Sequence, residues 1–156
     1  MSPNYRPHLW IMVQHCKQRL AIADRHGVQP GRLRRRRIVV QAHQGGQFRA
    51  HPDNLKEYLI RIVNREDPIT RGIPDFKVKS EQYYMLVDPR NEVLAVTTHQ
   101  SVSAPWTNGV DMPFVWKKVH GAGRVFYSAC GHQCQEFTDF PEQLELTLRG
   151  MAWAAR

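Results

Sequence analysis

The side chains capable of chemistry fall in a few short clusters, the densest being Cys130-Gly131-His132-Gln133-Cys134. Two thiols and an imidazole this close suggest three chemistries. Cys130, His132 and Cys134 could ligate a metal, with His51 or His120 as a fourth ligand. Structural zinc, however, normally takes two separated ligand pairs, and no second cysteine pair exists. Cys130 could be a nucleophile activated by His132, but it has no strand-to-helix elbow of its own to expose it. The third chemistry is acid–base catalysis, in which an imidazole titrating near neutrality works with a carboxylate that orients it. Here His132 is the imidazole, Glu81 the carboxylate and His51 a second imidazole, whose backbone Pro52 pushes to an extended conformation. Tyr83 and Trp116 are candidates for the wall of a binding pocket, where aromatic faces suit the apolar face of a sugar ring, and Gln82 adds an amide. Plainer readings stay open: His132 as a turn cap bonded to backbone, and Glu81 as an ordinary strand-start carboxylate.

Positioning such groups requires strands. Val125–Ala129, β-branched and aromatic between glycines, reads as a strand that delivers His132 just beyond its carboxyl end. Strand ends of this kind are where ligands gather in open α/β sheets. Phe114–Lys118 and the turn at 120–123 make a hairpin with it. The Gly121-x-Gly123 pair leads into a strand rather than from a strand into a helix, so it is no phosphate cradle. Tyr83–Val87, the short turn Asp88–Asn91 and Val93–Thr98 predict another hairpin. Leu55–Val63 reads as a strand, and 45–54, with paired glycines and His51-Pro52, as loop. Residues 64–74 read as a turn-rich connection with room for one helical turn after Pro68. The segment from Gln100 to Asp111 reads as a loop anchored by Trp106. Pro141 opens a helix to about Ala155 whose predicted buried face is Leu144, Leu148, Met151 and Ala155, packed under the His132 strand.

Composition bounds the class. The 156 residues, 42% hydrophobic, suffice for one domain with a real core. No apolar run approaches the roughly 20 residues of a membrane span. Three cysteines do not suggest a disulfide framework, so the cytoplasm is the expected compartment. The net charge of +8 is a local property, because residues 1–37 hold nine of the 22 basic residues and one of the 14 acids. The rest of the chain is electrically balanced. Arg34–Arg37 could grip phosphates, but no aromatic platform or recognition helix accompanies them, and nucleic acid is not the expected partner. Residues 1–44 therefore read as a basic, atypical leader, with Arg19–Ala23 as a possible short helix and Ile38–Val40 as a short strand, and residues 45–156 as the domain. No cofactor is named by any motif.

Several motifs in order resemble one family. They include Gly45-Gly46-Gln47-Phe48-x-Ala50-His51-Pro52, Asp67-Pro68-Ile69-Thr70-x-Gly72-Ile73-Pro74-Asp75-Phe76 and Ser80-Glu81-Gln82-Tyr83-Tyr84. Val87-Asp88-Pro89, Asn91–Ala95, Met112-Pro113-x-Val115-Trp116-Lys117, Gly121-x-Gly123-Arg124-Val125-Phe126-Tyr127-Ser128 with Gly131-His132, and Arg149-Gly150-Met151-x-Trp153-Ala154-Ala155 follow. Together they resemble the ThuA-like, or trehalose-utilisation, family from about Gly45 onward. The resemblance implies an α/β, flavodoxin-like (class I glutamine-amidotransferase-like) sheet, here N-terminally truncated, with two hairpins and a C-terminal helix. It implies a role in sugar catabolism, on disaccharides such as trehalose or their keto derivatives. The family's motif residues fall on His51, Glu81, Tyr83 and His132, and His132 takes the place of the histidine in the related amidotransferase triad. Without a cysteine elbow, glutamine hydrolysis is not implied. Family members begin with strand–helix units and a Gly-x-His-Gly-Gly-type loop, which residues 1–44 lack. The expectation is a truncated or frame-shifted member. A non-catalytic remnant or interaction module, whose exposed sheet edge a partner or second copy covers, is the competing reading.

Overall fold

The computed structural model describes residues 44–121 and 123–155 and the backbone of Trp10–Val13. The proposed helix at Arg19–Ala23, the arginine run and the strand at Ile38–Val40 lie outside the described residues. Among the described residues are eight strands, two α-helices and a 3-10 turn at Pro105–Thr107: β1 (Trp10–Val13), β2 (Gly46–Ala50), β3 (Leu55–Ile62), β4 (Phe76–Glu81), β5 (Tyr84–Val87), β6 (Glu92–Thr98), β7 (Asp111–His120), β8 (Gly123–Ser128), α1 (Glu136–Asp139) and α2 (Pro141–Ala154). Six strands form one sheet in the order β1-β8-β7-β6-β3-β4, and β2 and β5 form a separate ribbon. The architecture is mixed α/β, but among the described strands only β1 and β8 run parallel, and every other pairing is antiparallel. The doubly wound parallel arrangement of a flavodoxin-like sheet is therefore not what the described strands display. β1, moreover, comes from the stretch set apart as a leader.

One of the two expected hairpins forms. β7 and β8 pair through the tight turn at 120–123. The other does not: β5 pairs with β2, while β6 pairs with β7 and β3. The reason lies in Gly45. Its carbonyl accepts the backbone N–H of Asp88 at 2.8 Å and the amide of Asn91 at 2.6 Å, so both ends of the Asp88–Asn91 turn are bound to the start of β2. A Cβ on Gly45, which has φ +79°, would lie 2.1 Å from Asn91 Oδ1. At Gly46 it would lie 2.8 Å from the Trp116 ring. The paired glycines thus mark a strand pressed against the core, not the loop that their composition suggests.

β8 is buried on both faces. Tyr127 stacks on Trp116, ring centroids 3.9 Å apart and 10° from parallel, beneath the β2–β5 ribbon, where the Tyr127 hydroxyl meets Met85 Sδ at 3.4 Å. On the opposite face Phe126 meets Gly150 of α2. The helix packs on the strand as expected, but with a different face: Gln143, Leu146, Thr147, Gly150 and Ala154 are buried, and Leu144 and Leu148 are exposed. Close approach to the Phe126 ring selects the glycine-centred face over the more apolar one.

β4 alternates Phe76, Val78 and Ser80 inward with Lys77 and Lys79 outward, a period-2 strand that none of the expected elements covered. Before it, Asp67 caps a single turn, its carboxylate accepting from Ile69 N and its carbonyl from Arg71 N at 2.8 Å, so the helical turn after Pro68 is one hydrogen-bonded turn and no more. The Asp67 carboxylate also pairs with Lys117 of β7, both largely buried. No helix among the described residues is long and apolar enough to cross a membrane.

Candidate functional site

Three strands end at one place. His51 follows β2, Glu81 is the last residue of β4, and His132 stands four residues beyond β8, after Gly131 turns the chain at φ +98°. Glu81 lies between the two imidazoles: Oε2 is 3.0 Å from Nδ1 of His132, and Oε1 is 3.7 Å from Nδ1 of His51. Both Nδ1 atoms are buried, and neither meets hydrogen-bond geometry, so the contacts are electrostatic in this arrangement. A modest ring rotation makes the shorter one a charge-assisted hydrogen bond. The Glu81 side chain is 14% exposed and that of His132 26%, which leaves the pair reachable from solvent but shielded from bulk screening.

Glu81 is held from several sides. The Tyr58 hydroxyl donates to its backbone carbonyl at 2.9 Å. Burial first, then the neighbouring Glu81 charge, push the Tyr83 phenol well above its ordinary pKa, so it stays protonated beside the carboxylate. Next in sequence, the Gln82 amide donates to Thr97 Oγ1 at 2.7 Å and Thr98 O at 3.1 Å, tying the end of β4 to β6. His99 Nε2 then meets the Tyr83 carbonyl at 3.2 Å. Burial lowers the pKa of His99, which keeps it neutral.

Of the residues singled out from sequence, His51, Glu81, Tyr83 and His132 come together. Gln82 is buried, with its amide nitrogen bonded to β6. Trp116 is a correction: it has no exposed surface, stacks on Tyr127 and donates Nε1–H to Gln44 O at 2.7 Å, so it is core and no pocket wall. An aromatic wall exists nonetheless. Phe48, 36% exposed, stacks on His51 at 5.9 Å and meets Tyr83 edge-on at 5.0 Å. Its alternate position on a short strand was hidden by the loop reading of 45–54.

Cys130 sits in the core. It is fully buried, and desolvation pushes its thiol up to about 12, so it carries no thiolate at neutral pH. Among the described residues no three His, Cys, Asp or Glu side chains are placed to hold a metal ion, so the Cys130–His132–Cys134 set does not assemble. Trp106, expected to anchor its loop, is 79% exposed. Asp53 holds that loop instead, accepting from Val102 N at 3.0 Å, Ser103 N at 3.0 Å and Ser103 Oγ at 2.6 Å. Two residues after His51, it joins the 100–110 loop to the site. Asp53 and Asn54 sit at φ +68° and +53°, where these residue types are tolerated best.

The family model described as trehalose utilisation, ThuA, matches residues 33–154, beginning earlier than the motifs legible by eye. Among solved structures, a ThuA-like protein from Bacteroides uniformis ATCC 8492 is 25% identical with a TM-score of 0.55, over 71% of this chain and 48% of that one. A ThuA-like protein from Parabacteroides merdae ATCC 43184 is 24% identical with a TM-score of 0.52, over 71% of this chain and 41% of that one. The chain thus spans less than half the length of either solved relative. No curated protein matches it. On the match across 33–154, the chain belongs to the ThuA, or trehalose-utilisation, family.

Proposed function

We propose that the chain acts on a sugar of the trehalose or keto-disaccharide class by acid–base chemistry at Glu81 and His132. The observation that carries this reading is the Glu81 carboxylate set between two imidazoles at three converging strand ends. With Nδ1 of His132 turned to Glu81, Nε2 is the nitrogen left to exchange a proton with a sugar hydroxyl or with the carbon beside a sugar carbonyl. Glu81 stabilises the imidazolium that forms. His51 positions the substrate or shares the proton, and the Phe48 face supports the apolar side of the ring. In this reading the described strands are one part of a flavodoxin-like sheet that β1, the parallel strand, would continue, and the protein works in the cytoplasm.

The competing reading is an interaction module. β4 is an edge of the described sheet, and on its neighbour β3 Leu55 and Leu59 are exposed, a surface that a partner or second copy would cover. Titrating trehalose and following the melting temperature separates the two. Stabilisation that Glu81→Gln and His132→Ala abolish supports the sugar reading. A cooperative melt with no response to trehalose or to an oxidised disaccharide favours the module.

A further inference from the structure

Glu136 has no part in the chemistry above, yet its surroundings are those of a working residue. It opens α1, is 6% exposed, and packs where that helix meets β4. One carboxylate oxygen, Oε1, accepts the backbone N–H of Gln133 at 3.0 Å, the residue directly after His132. The other, Oε2, is buried and has no hydrogen-bond partner among the described residues. The Glu136 charge reaches Tyr58, which holds the Glu81 carbonyl, Tyr83 beside Glu81, and Cys130 on the far side of the His132 turn. Burying a carboxylate costs several kcal/mol unless it is well bonded, so a half-satisfied one here needs a reason.

We propose that Glu136 is the positioning residue for His132: its Oε1 fixes the turn 130–133 and thereby holds the imidazole against Glu81. The far end of the turn is also tied, by the Glu136 N–H donating to the Gln133 carbonyl at 3.2 Å and by the disulfide at Cys134, whereas its near end is loosely held. Gly131 contributes no side chain, and the Cys130 N–H makes only a long contact, 3.3 Å, with Ser128 Oγ. His132 itself has no aligned hydrogen bond at Nδ1. The bond from Gln133 N–H to Glu136 Oε1 is thus the side-chain tie next to the imidazole. The inference rests on the sugar reading only for its consequence, not for the geometry.

The test uses the full chain without ligand first. Hydrogen exchange of the Gln133 amide and the NMR signals of the His132 ring are recorded for the wild type, Glu136→Gln and Glu136→Ala. The glutamine variant keeps an oxygen acceptor and is expected to retain slow exchange and the His132 signals. The alanine variant is expected to lose at least tenfold in protection at Gln133 and to shift the His132 ring signals, with amides of β6 and β7 unchanged. Unchanged Gln133 protection in Glu136→Ala would overturn the proposal, as would glutamine behaving like alanine or protection falling uniformly across the sheet. Trehalose stabilisation is measured afterwards on the same samples. Its absence from the wild type counts against the sugar reading alone.

Discussion

Glu81 Oε2 and His132 Nδ1 stand 3.0 Å apart, although β4 and β8 are separated by β7, β6 and β3 in the sheet order. In a flat sheet four strand spacings would part them by roughly 19 Å. The sheet must curl until its β4 edge returns toward β8, and Gln82 bonded to Thr97 and Thr98 shortens the path along that curve. The site is a product of curvature.

Residues acting as one unit are not additive. Each of Glu81→Gln and His132→Ala is expected to lower turnover of the responsive sugar by about 10²–10⁴-fold, the range of a lost acid–base group. The double variant is expected to be little worse than either single one. Independent, multiplying losses in steady-state kinetics would refute a paired role.

Trp116→Ala is expected to remove about 3–5 kcal/mol of stability, the usual range for a large core aromatic, because Trp116 is fully buried, stacked and bonded to Gln44. Urea denaturation reads this directly. A variant as stable as the wild type that loses only sugar binding would restore Trp116 to the pocket.

At Gly150 an added Cβ would lie 2.3 Å from the Phe126 ring. Gly150→Ala should therefore destabilise by about 1–3 kcal/mol, against the gain its better helix propensity would bring at an open site. Pairing it with Phe126→Leu should recover part of the loss.

The Cys130 thiol ionises near 9.0 when exposed and is pushed up to about 12 by burial. The folded state therefore keeps a proton that the unfolded state releases, and this contribution is whole below pH 9 and lost as pH rises from about 9 to 12. By pH 10 about 1.4 kcal/mol of it is lost. Burial raises the Tyr83 and Tyr127 phenols as well, which steepens the alkaline fall. Cys130→Ala should flatten the pH dependence of the urea midpoint above pH 9. Rapid alkylation of Cys130 in the native protein at pH 7.5 would contradict its placement.

Asp53→Ala removes the acceptor for Val102 N, Ser103 N and Ser103 Oγ. Faster proteolysis within 100–110, with the core melt little changed, is the expected outcome. Those hydrogen bonds hold the Asp53 carboxyl far below the ordinary range, so its contribution is present above pH 3.8 and lost as pH falls below that value. Cleavage of the loop in the wild type should rise on acidification in the same way.

The residues that meet at the site, His51, Glu81, Tyr83 and His132, were legible because each sits in a motif whose residue types have chemistry of their own. So were β3, β6, the β7–β8 hairpin and the Pro141 helix, since period-2 alternation, glycine turns and an N-terminal proline are local signals. What the chain could not announce locally was who pairs with whom. β5 joins β2 because Gly45 binds both ends of the Asp88–Asn91 turn, a contact across more than 40 residues. α2 buries Gly150 rather than Leu148 because the Phe126 ring waits on β8. Trp116 is core and Phe48 the exposed ring because the glycines of β2 bring one strand down onto the other. Residue type decides what a side chain can do. Only the folded sheet, by curling β4 back to β8, decides which of these side chains share a site, because that distance is set by long-range packing that no local pattern encodes.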